Sequence, residues 1–271
     1  MSRKRYKKKK SQLDVVLLTR NLWDIAQQCV DAVPKACEGL DYQFIIFDND
    51  SDQKEKKIEF YNQFPDDVKI YYSQQNLGYP KGFNEAVRKG TSPYVLILTN
   101  DVILRPQSIT TLMKTMEDEK VGMAGMKLIF PEDSNDPARP AGKLQHICLT
   151  TNVRGEFYHP FLGWNPNHPK INKLQEVYAV TGAVFLIRRE LWNKVGGFFD
   201  GYGRGTFEDV DLAMKIHEMG YNVVTEPKAV ATHYVGATAM EMKQPFPLEQ
   251  NRMIFLQRWG SKLKYDEWRV L

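Results

Sequence analysis

The sequence predicts an α/β chain built on a mostly parallel sheet with helices on both faces. Short apolar runs bounded by turn residues alternate with segments of helical period through the first half. Helix punctuation recurs at the expected ends, with Pro80 near a first turn and Gly90 just past a last one. The chain is long enough for one large domain, and its 271 residues are 42% apolar and 26% charged, which excludes wholesale disorder.

In chain order, 13–19 reads as a strand, and Asn21 is placed as the cap of a helix with Leu22, Ile25, Ala26, Cys29, Val30 and Val33 on one face. Residues 42–48 form a second strand, the polar stretch 50–57 opens a second helix, and 68–72 is a short third strand. A helix around Pro80, a strand over 94–98 and a helix over 107–118 complete the regular half. Ligands bind at the carboxyl ends of strands in such sheets, which singles out Thr19-Arg20-Asn21, Asp48-Asn49-Asp50 and Thr99-Asn100-Asp101. In the second half, 131–178 reads as a long surface excursion and 181–188 as a strand. A short helix then ends at Gly196-Gly197, Gly201 to Gly205 is expected to move, and a helix runs from about 207 to 219. Strands over 221–225 and 229–234 follow.

The net charge of +4 is a property of one end. Seven basic side chains lie in residues 1–10, leaving 30 basic and 33 acidic groups in the other 261 residues. The apolar run after that tail is too short for a secretion signal, and no run is long enough to span a membrane. Three cysteines without a CxxC indicate neither disulfides nor zinc, so Cys29, Cys37 and Cys148 are expected as buried apolar residues in a cytoplasmic protein.

The helix over 207–219 carries two charge patterns. Glu208, Asp211, Lys215 and Glu218 share a spacing that reads as a solvated face, whereas Asp209 heads an apolar stripe with Leu212, Ile216 and Met219. Asp209 then either closes a capping box with Thr206 or enters a cleft that uses its charge. Asp101 has two readings as well, a turn residue or a carboxylate at the sheet rim. With His233 at the end of a late strand, its oxygen donors suit Mg²⁺ or Mn²⁺ better than zinc. No P-loop or dinucleotide fingerprint occurs.

Taken in order, VVLLTRN (15–21), FDNDSD (47–52), NLGYPKGFNEAV (76–87), LILTNDVIL (96–104), VTGAVFLIRRELWNKVGGF (180–198), FEDVDLAMKIHEMGYNVV (207–224) and ATHYVGAT (231–238) resemble family 2 glycosyltransferases of the GT-A fold, in particular rhamnosyltransferase-like members. GKLQHICL (142–149) and NRMIFLQRWG (251–260) resemble the same subgroup. The resemblance implies a Rossmann-like sheet with an irregular acceptor-side second half. It divides the chain into a basic disordered tail (1–10), a catalytic domain (11–235, nucleotide-sugar half to about 104) and a helical extension (236–271).

The resemblance further implies an inverting transfer from a UDP- or dTDP-sugar, with Asp209 of the Glu208-Asp209 pair as base. Asp101 and His233 would hold Mn²⁺ or Mg²⁺. Thr19, Arg20, Asn21, Asp48, Asn76, Gly78, Lys81, Asn84 and Asn100 make up the nucleotide-sugar set. Gly182, Arg204, Asp211 and Trp164 are acceptor-side candidates, with His146 and His159 beside them; Arg204, Trp164 and the two histidines are candidates by location only, and Trp164 has a core role as its alternative. The acceptor would be a glycan, a lipid-linked sugar or a nucleic acid, and the tail would either meet an anionic membrane face or nucleic acid or be a plain solvated, solubilising stretch. The family often has an acidic residue or Asn where Thr99 stands, and Phe198-Phe199-Asp200 carries one Phe more than usual. A sugar nucleotidylyltransferase and a non-catalytic binding module are the rival readings.

Overall fold

The computed structural model describes residues 11–152, 154–236 and 246–263. The basic tail and part of the C-terminal extension lie outside the described residues. The regular half runs β1 (Leu13–Thr19), α1 (Trp23–Ala36), β2 (Tyr42–Asp48), α2 (Lys54–Asn62), β3 (Lys69–Tyr72), α3 (Tyr79–Val87), β4 (Tyr94–Thr99), β5 (Val102–Leu104) and α4 (Ser108–Thr115). The second half contains β6 (Val121–Ile129), β7 (Leu144–His146), β8 (Thr150–Thr151), β9 (Phe157–Tyr158), β10 (Gln175–Glu176), β11 (Val184–Arg188), α5 (Arg189–Val195), α6 (Glu208–Glu218), β12 (Asn222–His233) and α7 (Leu248–Trp259).

Ten strands form one sheet with the path β10-β12-β6-β11-β4-β1-β2-β3; β5 pairs with β12 and β7 with β6. The β4-β1-β2-β3 block and the β12-β6 pair are parallel, and β11 is inserted antiparallel between β4 and β6. β1 shows why the sheet is covered twice. Val16 and Leu18 belong to the core cluster that includes residues of α3, α5, α6 and α7, while Leu13, Val15 and Leu17 belong to the one that includes residues of α1, α2 and α4. The cysteines are buried and free, and burial pushes the Cys37 and Cys148 thiols up to about 12.

Several expectations change. Asn21 does not cap α1: Leu22 is the cap residue, with φ 57°, and Asn21 Oδ1 accepts from the Asp52 amide instead. β6, nine buried residues, lies where the sequence offered no alternation to read. The two late strands are one, β12, with an irregularity between Glu226 and Val230. The 131–178 stretch is not all surface, because Leu144, Ile147, Cys148, Leu149, Ile171, Val177 and Tyr178 enter the core. The α6 charge pattern also differs. Glu208 and Asp211 are buried, Glu208 on the cleft and Asp211 against α7, and Met219 is exposed. Asp211 accepts from Arg258 Nε (2.7 Å), Trp259 Nε1 (2.7 Å) and Tyr202 OH (3.1 Å), with Lys215 Nζ at 3.3 Å.

Candidate active site

The carboxyl ends of β1 and β4 open on a cleft of about 380 Å³. The residues after β1 and β4 that line it are Thr19, Arg20, Asn100 and Asp101. Asn76 and Gly78 come from the segment before α3, Gly182 from the turn before β11, Arg204 from the glycine-rich segment, Glu208 and Asp209 from α6, and His233 from β12. These eleven residues therefore meet at one sheet edge, and Asn49 and Thr99, from the strand ends also singled out in the sequence, line it beside them. The remaining positions separate from it.

Asp48 is fully buried beside the cleft rather than on it. Its carboxylate accepts from the Ser51 amide (2.8 Å), Lys57 Nζ (3.1 Å) and Tyr61 OH (2.7 Å). Its neighbour Asn49 takes the lining position, and it donates to Asn76 Oδ1 (3.1 Å) and the Gly78 carbonyl while accepting from the Leu77 amide (2.9 Å). The cue was available: successive residues at a strand end face opposite ways, so one of the two had to turn inward. Asn21 also lies off the lining, donating its amide to Ser51 Oγ (3.0 Å), and Asn100 Nδ2 fixes that loop through Thr19 Oγ1 and the Asn21 carbonyl, both at 3.1 Å. Lys81 is exposed and off the lining. Asn84 is buried against the next turn, bonding the Phe198 backbone and Asp200 Oδ1. Trp164, half-exposed, packs edge-on to Phe161 and His168 away from the cleft lining, and Asp211 belongs to the α7 contact.

Asp209 does not form the capping box. Its Oδ2 accepts from the Gly182 amide (2.9 Å) and its Oδ1 from the Val210 amide (2.8 Å), while Thr206 and Phe207 take left-handed φ values of 85° and 70°. Burial raises its pKa, and those amides offset only part of the rise. Beside it Glu208 is 6% exposed and its Oε2 has no hydrogen-bond partner among the described residues. Burial first and the Asp209 charge second push the Glu208 carboxyl well above its ordinary value. Two adjacent carboxyls with unequal environments sit in one cleft, the usual setting for acid-base work.

At the end of β4, Thr99 Oγ1 donates to Asp101 Oδ1 (2.6 Å). Burial works to raise the Asp101 pKa, but His233 and the Thr99 hydroxyl outweigh it and bring the carboxyl below its ordinary value. His233 Nδ1 lies 3.2 Å from Gln145 Oε1, a contact that orients the ring so that Nε2 faces Asp101 Oδ1, 3.7 Å away. One ionised carboxylate and one oriented imidazole fit a divalent cation that keeps further positions for phosphate oxygens and water. Among the described residues no group of three or more His, Cys, Asp or Glu forms a complete cage. His146 supports the same wall: its Nε2 accepts from the Thr181 amide (3.2 Å), so Nδ1 donates to His159 Nδ1 (2.9 Å). Burial holds both rings neutral, His159 down to about 4.

Tyr79, Thr206, Val235, Gly236 and Phe246 also line the cleft without having been singled out for it. Thr206 is marked in the sequence only as a capping partner of Asp209, and no hydropathy or spacing pattern assigns the other four to a cleft, since long-range packing brings them there. Among the described residues no helix is long and apolar enough to cross a membrane.

The model of Glycosyl transferase family 2 matches residues 14–196. The chain is 24% identical over 234 residues to the uncharacterized protein y4gI of Sinorhizobium fredii, covering 83% of this chain and 25% of that protein. It is 24% identical over 237 residues to the O-antigen biosynthesis protein RfbC of Myxococcus xanthus, covering 84% of this chain and 18% of that one. The chain thus spans a quarter or less of these relatives. Its fold is similar to a crystal structure of GalNAc-T7 with UDP, GalNAc and Mn²⁺ (TM-score 0.69, 15% identity, 95% of this chain and 49% of that chain). It is also similar to the mannosyltransferase PcManGT from Pyrobaculum calidifontis in complex with GDP-Man and Mn²⁺ (TM-score 0.62, 16% identity, 94% and 66%). The fold is therefore that of GT-A glycosyltransferases.

Proposed function

The chain belongs to glycosyl transferase family 2, and from that premise we propose that it moves a sugar from a nucleoside-diphosphate donor to an acceptor hydroxyl with inversion. The observation that carries the reading is the sharing of one cleft by Asp209 and the Asp101–His233 pair. Asp101 and His233 would hold Mn²⁺ or Mg²⁺, which supplies charge stabilisation for the departing diphosphate. Thr19, Asn100 and the Asn49–Asn76–Gly78 network form the donor side. Asp209 receives the acceptor proton as the hydroxyl attacks the anomeric carbon from the face opposite the leaving group. The amides of Gly182 and Val210 hold both its oxygens, which fixes the carboxylate before the acceptor arrives. Beside it the Glu208 carboxyl is pushed well above its ordinary value by burial and by the Asp209 charge, which favours its protonated form.

The family model ends at Gly196, so the role of Asp209 rests on the geometry and on the resemblance of residues 207–224. A hexosyl or deoxyhexosyl unit on a UDP- or dTDP-carrier and a glycan or lipid-linked acceptor are the substrates proposed. The similarity to RfbC supports the polysaccharide class. A tail on anionic lipid would place the enzyme at the inner membrane face, and a nucleic-acid acceptor is the competing outcome.

Thermal unfolding with Mn²⁺ and a panel of uridine, thymidine and guanosine diphosphate sugars tests the donor side. A donor at one hundred times its Kd stabilises by about 2.7 kcal/mol. No shift with any of them contradicts the proposal.

A further inference from the structure

Helix α7 supplies none of the groups the proposed chemistry uses, yet one of its faces is fitted to the segment that delivers Glu208 and Asp209. Asn251, Phe255, Arg258 and Trp259 fall at i, i+4, i+7 and i+8, a single face of the helix. Phe255 packs against Phe207 with ring centroids 5.5 Å apart. Arg258 lies 3.8 Å over the Phe199 ring and joins Trp259 on Asp211. Asn251 reaches furthest into the turn. Only 2% exposed, it places Nδ2 2.7 Å from the Gly205 carbonyl, 2.9 Å from the Tyr202 carbonyl and 3.0 Å from Thr206 Oγ1, with the Thr206 carbonyl at 3.3 Å.

Four oxygen acceptors converging on one point repel each other unless a donor sits among them, and the two Asn251 protons are shared between them. The backbone they belong to is demanding. Gly205, Thr206 and Phe207 have φ of 129°, 85° and 70°, and the last two carry Cβ atoms that disfavour this region. Such a turn persists only when its surroundings over-determine it, and such turns cluster at active sites. The next residue, Glu208, begins α6. The path of this turn therefore decides where both carboxylates point, and Arg204 on the same segment lines the cleft and accepts from the Tyr79 amide through its carbonyl.

From this geometry we infer that Asn251 is a positioning residue for glycosyl transfer: it holds the 202–207 turn so that Asp209 and Glu208 meet the reacting hydroxyl. The inference rests on the reading of Asp209 as the base. None of the Asn251 hydrogen bonds reaches a donor-side residue, so its loss acts on nucleotide affinity only indirectly, through the contact of the turn with Tyr79.

The test compares the full chain with Asn251→Ala and Asn251→Gln, the second keeping an amide at the site should the first not fold. Nucleoside diphosphate release from a donor the wild type uses is followed across pH, with Mn²⁺-nucleotide affinity measured in parallel. The expected result is a kcat loss of roughly 10- to 100-fold, as for a base displaced by about an ångström. Nucleotide affinity stays within about two-fold, and the acid limb of the pH profile moves as the carboxyls change surroundings. A folded Gln variant with kcat and acid limb both unchanged overturns the inference, as does a kcat loss matched by an equal loss of nucleotide affinity. A wild type that turns over no donor overturns the glycosyl-transfer reading, and this inference with it.

Discussion

Replacing Asp211 with Ala tests the role of the α6–α7 contact in stability. The carboxylate is completely buried and takes hydrogen bonds from Arg258, Trp259 and Tyr202, with Lys215 in ion-pair range. Its removal leaves the Trp259 N–H and the Tyr202 hydroxyl buried without this acceptor, at about 1–3 kcal/mol for each group. Arg258 is 30% exposed and Lys215 keeps the Gly197 carbonyl at 2.9 Å, so water and backbone recover part of the cationic loss. The net cost is expected at about 3–5 kcal/mol, the range for breaking a buried pair by removing one partner. For a chain of this size that corresponds to a Tm lower by roughly 10 °C. Thermal unfolding followed by circular dichroism measures it, with Glu218→Ala as a control for a surface pair expected to cost under ~1 kcal/mol. A loss for Asp211→Ala no larger than the control would refute the claim that the α7 face holds α6 through this carboxylate.

Three further outcomes follow from the cleft. Glu208→Gln should raise Tm at pH 8 and leave it unchanged near pH 4. A carboxyl whose pKa rises on folding costs nothing below its unfolded value and opposes folding as pH climbs through the raised one; a Tm difference independent of pH would contradict this. Thr99→Val removes the hydroxyl held on Asp101, and Mn²⁺ titration in the presence of nucleotide should show affinity weaker by roughly 10- to 100-fold with the fold intact. Gly78→Ala forces a Cβ at φ 75° to within 2.3 Å of the Gly203 carbonyl oxygen, so urea unfolding should register a loss of about 2 kcal/mol or more.

Much of this molecule is legible in its sequence. The β1–α4 half follows from apolar runs and helix punctuation, and the strand ends that were singled out carry Thr19, Asn100 and Asp101 into the cleft. What failed has a common physical origin. Asp48 and Asn49 alternate faces, and nothing local says which one turns inward. Asp211 looks like a surface charge until α7, some forty residues later, covers it. Lys81 has the right chemistry for phosphate but lies on the solvent side of α3. The glycine-rich 201–205 segment was expected to move because glycines permit it. Asn251 and Tyr79, from distant parts of the chain, bond its Tyr202, Arg204 and Gly205 carbonyls, contacts that no local pattern announces.

The central claim is that Asp209 acts on the acceptor proton and not on the donor. The direct measurement is steady-state release of nucleoside diphosphate by Asp209→Asn beside wild type, with donor affinity determined on the same preparations by calorimetry in Mn²⁺. The account predicts a kcat lower by roughly 10²- to 10⁴-fold, the usual worth of a positioned general base, and a donor Kd within about two-fold. A kcat equal to that of wild type would contradict it, and so would a loss of activity explained entirely by weaker donor binding.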